Sequence, residues 1–428
     1  MQEPQPGKEP VRLSRRTLLK GALAAGAAAV THGFPLSPAE ATSTIATPEA
    51  EPAGNYKVMA VLLDINERGN GERTPDEIKE YLSGSGDELH PQEDSPLEAK
   101  INPRLPSVAE FYKTVTRGKL HMSFDMKQYR ASMPPDKDCS SVGEAEDVAR
   151  PLLEKDGIPK DAYDSYLFIT DQPIVPSCGM GGVTNSDAPH DYVFFDGALN
   201  VHPWSAAHEL GHRQGLDHAR ALNIQGGYSF EGPDTVGGEK WKEYGDEYDI
   251  MGEDGYMRWG FNVINKIKFG LVKEEQIKEI TEPGLYEIDG NPDGETLALR
   301  IRTPKTDESD SAYYISYPTP LKYEGDDPTL YEQLKEEKQQ VQAHYWYRHP
   351  LDTDPDGGRS LQVAHGLPRS AQYYLLADRM NGIYVAYISK DVARQTYGDT
   401  DKAYIQVDFK PVEGVEGTPY STPTPSTQ

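Results

Sequence analysis

One short stretch of the chain has residues of the types and spacing that a catalytic metal site needs. His208 and His212 are four residues apart, so on a helix both imidazoles lie on one face and can reach a single point. Gly215 can end that helix in a left-handed turn, which brings His218 back to the same point. Glu209 follows the first histidine directly. The spacing predicts three neutral nitrogen ligands beside a carboxylate; the alternative is a surface helix with scattered histidines.

Three histidines are the ligand set of catalytic rather than structural zinc. They leave the charge of the dication uncancelled and one tetrahedral position open to water. A water polarised in this way, next to a carboxylate base, attacks carbonyl groups. The sequence therefore predicts one catalytic Zn²⁺ held by His208, His212 and His218, with Glu209 as general base.

The pattern resembles that of the metzincin metallopeptidases. The resemblance implies a methionine turn beneath the metal, and Met251 in the run Tyr-Asp-Ile-Met-Gly at residues 248–252 is the candidate. Taken alone, a methionine is more often a core residue. The run Tyr-Gly-Asp at residues 244–246 is similar to the gametolysin-like and immune inhibitor A-like families, in which such a run leads into the turn.

Two positions depart from the pattern of these families. Relatives often carry Trp where Leu271 stands, and some metzincins place an oxyanion-assisting tyrosine two residues after the methionine, where this chain has Glu253. Three tyrosines near the turn are alternatives, and the sequence does not choose among them: Tyr244, Tyr248 and Tyr256. The resemblance covers about residues 56–272.

The elements that must position the site alternate between strands and helices. Apolar runs predict strands at residues 56–65, 119–126 and 166–170, and helical spacing predicts helices from residue 107 and over 142–155. This alternation fits the mixed α/β upper half of a metzincin, whose edge strand receives an extended peptide. The edge strand is expected within the glycine-rich residues 179–184 or the apolar residues 191–196 that precede Pro203. Pro203 is expected in the first turn of the metal helix.

The predicted fold class is α+β: a metzincin-like catalytic domain with a mixed sheet, zinc helix and Met turn, followed by a β-sandwich domain. Residues 66–106 are predicted to be a surface insertion, and residues 261–272 a closing helix. From about residue 280, many short turn-separated strands indicate the sandwich. The predicted segments are a signal peptide at 1–41, a disordered linker at 42–55, the peptidase domain at 56–278, the sandwich at 279–412 and a disordered tail at 413–428.

The amino-terminal segment has the features of a twin-arginine export signal. Arg15 and Arg16 precede a short, weakly apolar run, and Ala39 and Ala41 offer a small-x-small cleavage site. The run is too short for a permanent membrane anchor. Export to the periplasm, cell surface or medium is predicted; a chance basic patch before an alanine-rich helix is the alternative.

Composition limits the partners. The chain has 428 residues and a net charge of −26, which argues against nucleic acid or an anionic membrane as the main partner. The expected partner is a protein or peptide substrate, and nothing in the sequence indicates an oligomeric state. Cys139 and Cys178 either form one bridge or are both free and buried.

A weaker metal signal lies in the carboxyl-terminal part. Asp352, Asp354, Asp356 and Gly357 have the alternation of a calcium loop, but Val363 stands where such loops supply a bidentate glutamate. Ca²⁺ is therefore a possible second cofactor, and a solvated turn is the alternative. Among the other histidines, His202 is the one close in sequence to the metal helix.

These features predict an exported zinc-dependent endopeptidase. The alternative is an extracellular glycan- or protein-binding or adhesion protein with an inactive metallopeptidase-like domain, in which the tyrosine-rich β domain makes the contacts. An intact Glu209 argues for the enzyme, because an inactive domain does not need the base.

Overall fold

A computed structural model describes much of the chain from residue 54 to residue 409, and all of that part belongs to one compact unit, Ser43–Pro411. The described residues are 54–65, 73–84, 106–132, 142–171, 182–185, 192–222, 241–252, 257–303, 311–348, 358–365, 374–378, 382–388, 390–398 and 401–409. Within these ranges, no helix combines the length and the apolar character needed to cross a bilayer. The predicted signal peptide and tail, the two cysteines and residues 352–357 lie outside the described residues.

The first sheet has five strands in the order β2-β1-β3-β5-β4. The strands are β1 (Gly54–Ile65), β2 (Leu120–Ala131), β3 (Ser165–Thr170), β4 (Val183–Asn185) and β5 (Tyr192–Phe195). All neighbours are parallel except β4, which runs antiparallel to β5 at the edge. β1 begins inside the predicted linker, because the Gly54 amide already donates to Lys119 O at 2.9 Å.

Seven helices surround the strands in the described part of the chain. They are α1 (Pro75–Ser83), α2 (Val108–Val115), α3 (Val142–Lys155), α4 (Pro203–Arg213), α5 (Val263–Lys268), α6 (Pro328–Lys338) and α7 (Lys390–Tyr397). Buried residues of α2 and α4 pack on one face of the five-stranded sheet, and those of α3 pack on the other. This arrangement places α4 directly against the sheet.

Three helix predictions need correction. Residues 75–83, inside the predicted surface insertion, form a helix with buried Ile78 and Leu82, because Thr74 and Glu77 form a capping box in front of a first-turn proline. α5 is shorter than the predicted 261–272, since Asn262 caps its start and Gly270 turns left-handed with φ 68° after its end. The region after residue 280 also contains two helices, of which α6 begins at a capping Asp327.

The second sheet has seven strands in the order β7-β6-β13-β12-β11-β10-β8, and the third has four in the order β14-β15-β16-β9. The seven strands are β6 (Arg220–Leu222), β7 (Trp241–Lys242), β8 (Ile277–Glu279), β10 (Ala298–Arg302), β11 (Ser311–Ser316), β12 (Gln342–Arg348) and β13 (Gly358–His365). The four are β9 (Gly284–Asp289), β14 (Tyr374–Asp378), β15 (Ile383–Ile388) and β16 (Lys402–Phe409). Buried side chains of both sheets share one hydrophobic cluster.

Helices and mixed sheets within one unit confirm the predicted α+β class at this level. β6 and β7 join a sheet that is otherwise formed by strands from β8 onward. The predicted boundary between residues 278 and 279 falls within β8, so strands from both sides of it share this sheet. The division into two domains stays a prediction.

Candidate metal centre

Helix α4 carries the first two histidines and the glutamate. It begins with Pro203 in its first turn, as predicted. Its last residue is Arg213, and Gly215 then takes the left-handed conformation with φ 81°. Glycine adopts this conformation without the clash that a Cβ would cause. The turn reverses the direction of the chain, so His218 lies opposite His208 and His212 on α4.

The structure brings the three predicted ligands together. One ring nitrogen from each of His208, His212 and His218 lies within 4.8 Å of the other two. Their ring centroids are 4.7 to 5.4 Å apart. Within the described residues, these three form the one group of histidine, cysteine or acidic side chains that could hold a metal.

Each imidazole is fixed through its Nδ1 atom. His208 Nδ1 donates to Ile250 O at 2.9 Å, and His212 Nδ1 donates to Leu216 O at 2.8 Å. His218 Nδ1 donates to Glu243 Oε1 at 3.0 Å. Because the partners are carbonyl or carboxylate oxygens, each Nδ1 carries the hydrogen and each neutral Nε2 keeps its lone pair. This is the tautomer in which a histidine binds a metal, with a partner that sets its ring orientation.

Burial keeps two of these rings uncharged. The pKa of His208 is lowered to about 3, mainly by burial and also by the neighbouring His212 and His218. Its hydrogen bond to the Ile250 carbonyl opposes this shift. Burial also lowers the pKa of His218, against the opposing effect of Glu243. A metal ligand must be deprotonated, so both rings are ready to bind at neutral pH without losing a proton.

Glu209 lies beside this group in a buried position, 9% exposed. Burial raises the pKa of its carboxyl group, and the hydrogen bond from Thr184 counteracts part of that rise. Thr184 Oγ1 donates to Glu209 Oε2 at 2.5 Å and also lies 3.0 Å from the Glu209 carbonyl oxygen. The edge strand β4 therefore sets the orientation of the carboxylate.

A glycine allows this strand to approach so closely. A Cβ on Gly182 would lie 2.9 Å from Glu209 Cγ and 2.8 Å from the Phe195 ring. The glycine-rich run at residues 179–184 is visible in the sequence, but neither Gly182 nor Thr184 was among the predicted site residues. The only available signal was small residues directly before a short strand.

The turn at residues 246–252 lies beneath α4, with Met251 fully buried. A Cβ on Gly211 would lie 2.5 Å from Met251 Sδ, so the glycine between the two helical ligands makes room for the sulfur. The backbone after the third ligand is tied to the same turn. Ala219 N donates to Met251 O at 2.8 Å, and Asp246 N donates to Ala219 O at 3.1 Å.

Two fully buried carboxylates shape the 246–252 turn. Asp249 Oδ1 accepts from Met251 N at 2.7 Å, and Asp249 Oδ2 accepts from Asn262 N at 2.7 Å and from Asn265 Nδ2 at 2.8 Å. The pKa of Asp249 is raised to about 7, mainly by burial and also by the adjacent Asp246. Asp246 Oδ1 accepts from Tyr248 N at 3.0 Å. The turn is thus held by its own side chains and by the start of α5.

The structure distinguishes among the candidate tyrosines. The Tyr244 ring lies 4.1 Å from the His218 ring and 5.9 Å from the His208 ring, centroid to centroid, and is 41% exposed. Tyr248 points away: its hydroxyl accepts a hydrogen bond from Gln340 and its ring contacts Trp259 edge-on at 5.1 Å. Tyr256 and Glu253 lie outside the described residues.

His202 is not part of the group. It is the residue before α4, its ring stacks on Trp204 at 5.9 Å, and its Nδ1 lies 3.3 Å from an Arg73 nitrogen. Glu243 is not among the residues that the sequence predicts for the site. In the structure, Glu243 holds His218 and is held by Arg220, whose Nε donates to Glu243 Oε2 at 3.1 Å.

Searches with the whole chain find no match among known protein families. They also find no match among curated proteins.

Proposed function

We propose that this protein is a zinc-dependent endopeptidase of the metzincin type, similar to the gametolysin-like and immune inhibitor A-like families. The observation that carries the proposal is a group of three imidazoles, each anchored through Nδ1, next to the buried carboxylate of Glu209. Three neutral nitrogen donors suit Zn²⁺ and leave room for a further ligand. The position of Met251 beneath α4 supports the metzincin type.

Zn²⁺ bound by the three imidazoles would act as a Lewis acid toward the attacking water and the substrate carbonyl. Glu209 takes the proton from the water and delivers it to the leaving amine. Burial, which raises the pKa of the Glu209 carboxyl group, makes its carboxylate a stronger base than an exposed one. The Thr184 hydroxyl keeps that carboxylate in one orientation during both transfers.

Tyr244 donates a hydrogen bond to the carbonyl oxygen as negative charge develops on it. Its place on the exposed side of His218 supports this role. Burial raises the pKa of its hydroxyl, and the carboxylates of Glu209 and Glu243 raise it further, so the hydroxyl keeps the proton it must donate. A donor aimed at developing charge stabilises the transition state more than the ground state.

The substrate is a protein or peptide in extended conformation. β4 is at the edge of its sheet, with β5 on one side, and it carries the residue that orients Glu209. A peptide that pairs with this edge is delivered beside the carboxylate, because main-chain hydrogen bonds align it along the strand. The two sheets that share one core are proposed to form the predicted β-sandwich, and the protein is proposed to leave the cytoplasm by the twin-arginine route.

Glu209→Gln tests the chemistry. The amide has nearly the shape of the carboxylate but cannot accept the proton, so peptide turnover should fall about 10²–10⁴-fold or more. Zinc content, measured by elemental analysis, should stay at one per chain. The assay is mass-spectrometric detection of cleavage in a broad peptide library.

The matched control is Glu154→Gln, the same exchange at an exposed position of α3. It should cleave the library at the rate of the parent. A Glu209→Gln variant that keeps more than about a tenth of the parent rate would exclude Glu209 as the base. If the parent protein contained no zinc, or contained zinc but cleaved no peptide in the library, the alternative function of a binding or adhesion protein would be favoured.

Tyr244→Phe tests the donor. The ring and its contact with His218 remain, while the hydroxyl is lost, so the maximal rate should fall about 10²–10³-fold with zinc content unchanged. The parent rate in this variant would show that the tyrosine serves only as a cover for His218.

A further inference from the structure

The 246–252 turn is hydrogen-bonded to the His208 ring and to the backbone next to His218, two of the three predicted ligands. Its Ile250 carbonyl holds His208 Nδ1 at 2.9 Å, and its hydrogen bonds with Ala219 hold the backbone next to His218. A displacement of the turn therefore moves two rings at once. Whatever fixes the turn also fixes the positions of their nitrogens.

Most of the groups that fix the turn are close to it in sequence. Asp246 and Asp249 belong to it, and Asn262 and Asn265 lie at the start of α5. Asn262 Nδ2 donates to Asp246 Oδ2 at 3.1 Å. The same Asp246 oxygen has a second partner from a distant part of the chain.

That partner is His344, in the middle of β12. Its Nε2 donates to Asp246 Oδ2 at 2.9 Å, and neither side chain has any exposed surface. No described residue forms a hydrogen bond with His344 Nδ1. Two neighbouring side chains on this face of the sheet, Tyr314 and Trp346, belong to an apolar cluster with α5, and the buried Gln342 lies two residues before His344 on β12.

A buried polar pair of this kind is a poor source of stability. Removing both groups from water costs free energy, and an apolar pair of similar volume is often as stable or more so. The unpartnered Nδ1 adds to the cost. What such a pair does provide is a fixed geometry, because Asp246 Oδ2 can keep both donors in only one position of the turn.

We propose that His344 is a positioning residue of the metal centre: from the seven-stranded sheet it fixes Asp246, and through the turn it sets His208 and His218 for the metal. The proposal rests on the proposed zinc site. Partners of this kind, one step beyond the ligands, typically change metal affinity 10–100-fold when they are lost.

The test is zinc affinity, measured by competition with a chromophoric chelator on the full-length protein. His344→Leu should weaken zinc binding about 10–100-fold. In the Co²⁺-loaded protein, the visible spectrum should change with it, because the ligand geometry changes. His344→Gln, whose amide nitrogen reaches about as far as Nε2, should restore affinity and spectrum toward the parent.

Two further variants keep the test decisive. Leu299→Ala creates a cavity on the opposite face of the same sheet, so it should lower the melting temperature and leave zinc affinity unchanged. His344→Asn carries the same amide as His344→Gln but is too short to reach Asp246. If the leucine variant does not fold, a weaker affinity in Asn than in Gln supports the proposal.

Equal zinc affinity in the asparagine and glutamine variants would overturn it, as would parent affinity in a folded His344→Leu. The proposed function fails separately. If the parent protein binds no zinc, the proposed metal centre itself is wrong. If the parent binds zinc and the His344 variants bind it equally well, only the proposed role of His344 is wrong.

Discussion

The two sides of the candidate metal centre are built in different ways. On the side of α4, two ligands and the base lie within five consecutive residues, and helical hydrogen bonds hold them. On the other side, the 246–252 turn contains no helix or strand and is held by side chains from α5 and β12. Local spacing thus supplies the chemical groups, while residues distant in sequence hold two of the three imidazoles, those of His208 and His218.

A second contrast lies in how each side tolerates added volume. A Cβ on Gly252 would lie 1.9 Å from the Asp246 carbonyl oxygen, which is backbone. A Cβ on Gly211 would instead meet the end of the Met251 side chain, which can rotate. The two glycines therefore make a matched pair for comparing the rigidity of the two sides.

Gly252→Ala should have the largest effect. Because backbone atoms must move to admit the methyl group, we expect the free energy of unfolding to fall by about 3 kcal/mol or more. Denaturant unfolding measures it. Gly284→Ala, at the start of β9, is the control, since the nearest atoms to its methyl group would belong to the Tyr286 side chain, with the hydroxyl oxygen at 3.3 Å. If Gly252→Ala lowered the free energy of unfolding no more than Gly284→Ala, the backbone of the turn would be able to move and admit the methyl group.

The second prediction concerns the pH dependence of the metal-free protein. Burial lowers the pKa of His208 to about 3, so between that value and about 6.5 the unfolded chain binds a proton that the folded chain does not. Stability from this group is complete above pH 6.5 and is lost as the pH falls. From pH 6.5 to 4 the parent should lose about 2–3 kcal/mol more than His208→Gln does.

Urea unfolding with a chelator present, at both pH values and for both proteins, measures this difference. Subtracting the change in free energy of the variant from that of the parent removes the contribution of Asp249. The raised pKa of Asp249 makes the folded protein more stable as the pH falls, opposite to the effect of His208. If the free energy of unfolding depended on pH in the same way in parent and variant, the His208 ring would be accessible to water in the folded protein.

Gly211→Ala should have the smallest effect. Overpacking against Met251 costs about 1–3 kcal/mol, and replacing a glycine inside a helix recovers about 1 kcal/mol. We expect a net loss of about 1 kcal/mol in denaturant unfolding. A loss equal to that of Gly252→Ala would erase the contrast between the two sides.

The sequence predicted the helix side well because its determinants are local. Four-residue spacing, a first-turn proline and a left-handed glycine each depend on a few neighbouring residues, and the structure has His208, His212 and His218 together. The capping box at Thr74 and Glu77 was equally local and was overlooked. The contact of His344 with Asp246 could not be predicted, because a single histidine among strand residues carries no signal of its partner.

Strand pairing was likewise predictable only where the paired strands are close in sequence. Helices α1 and α2 lie between β1 and β2, and α3 lies between β2 and β3, so a sheet containing these three strands could be anticipated. β6 is three residues long, and its parallel partner β13 comes much later in the chain. No periodicity in either segment indicates that pairing.

The pairing of β6 with β13 also bears on the order in which the molecule can assemble. Arg220 pairs with Leu361 across these strands, and the Arg220 side chain holds the glutamate that orients the third histidine. A chain that has left the ribosome only as far as Met251 contains every ligand but lacks β12 and β13. Parallel pairing between such distant segments forms slowly, because a long loop must close first. We therefore expect β6 to take its place in the sheet only after β12 and β13 have been synthesised.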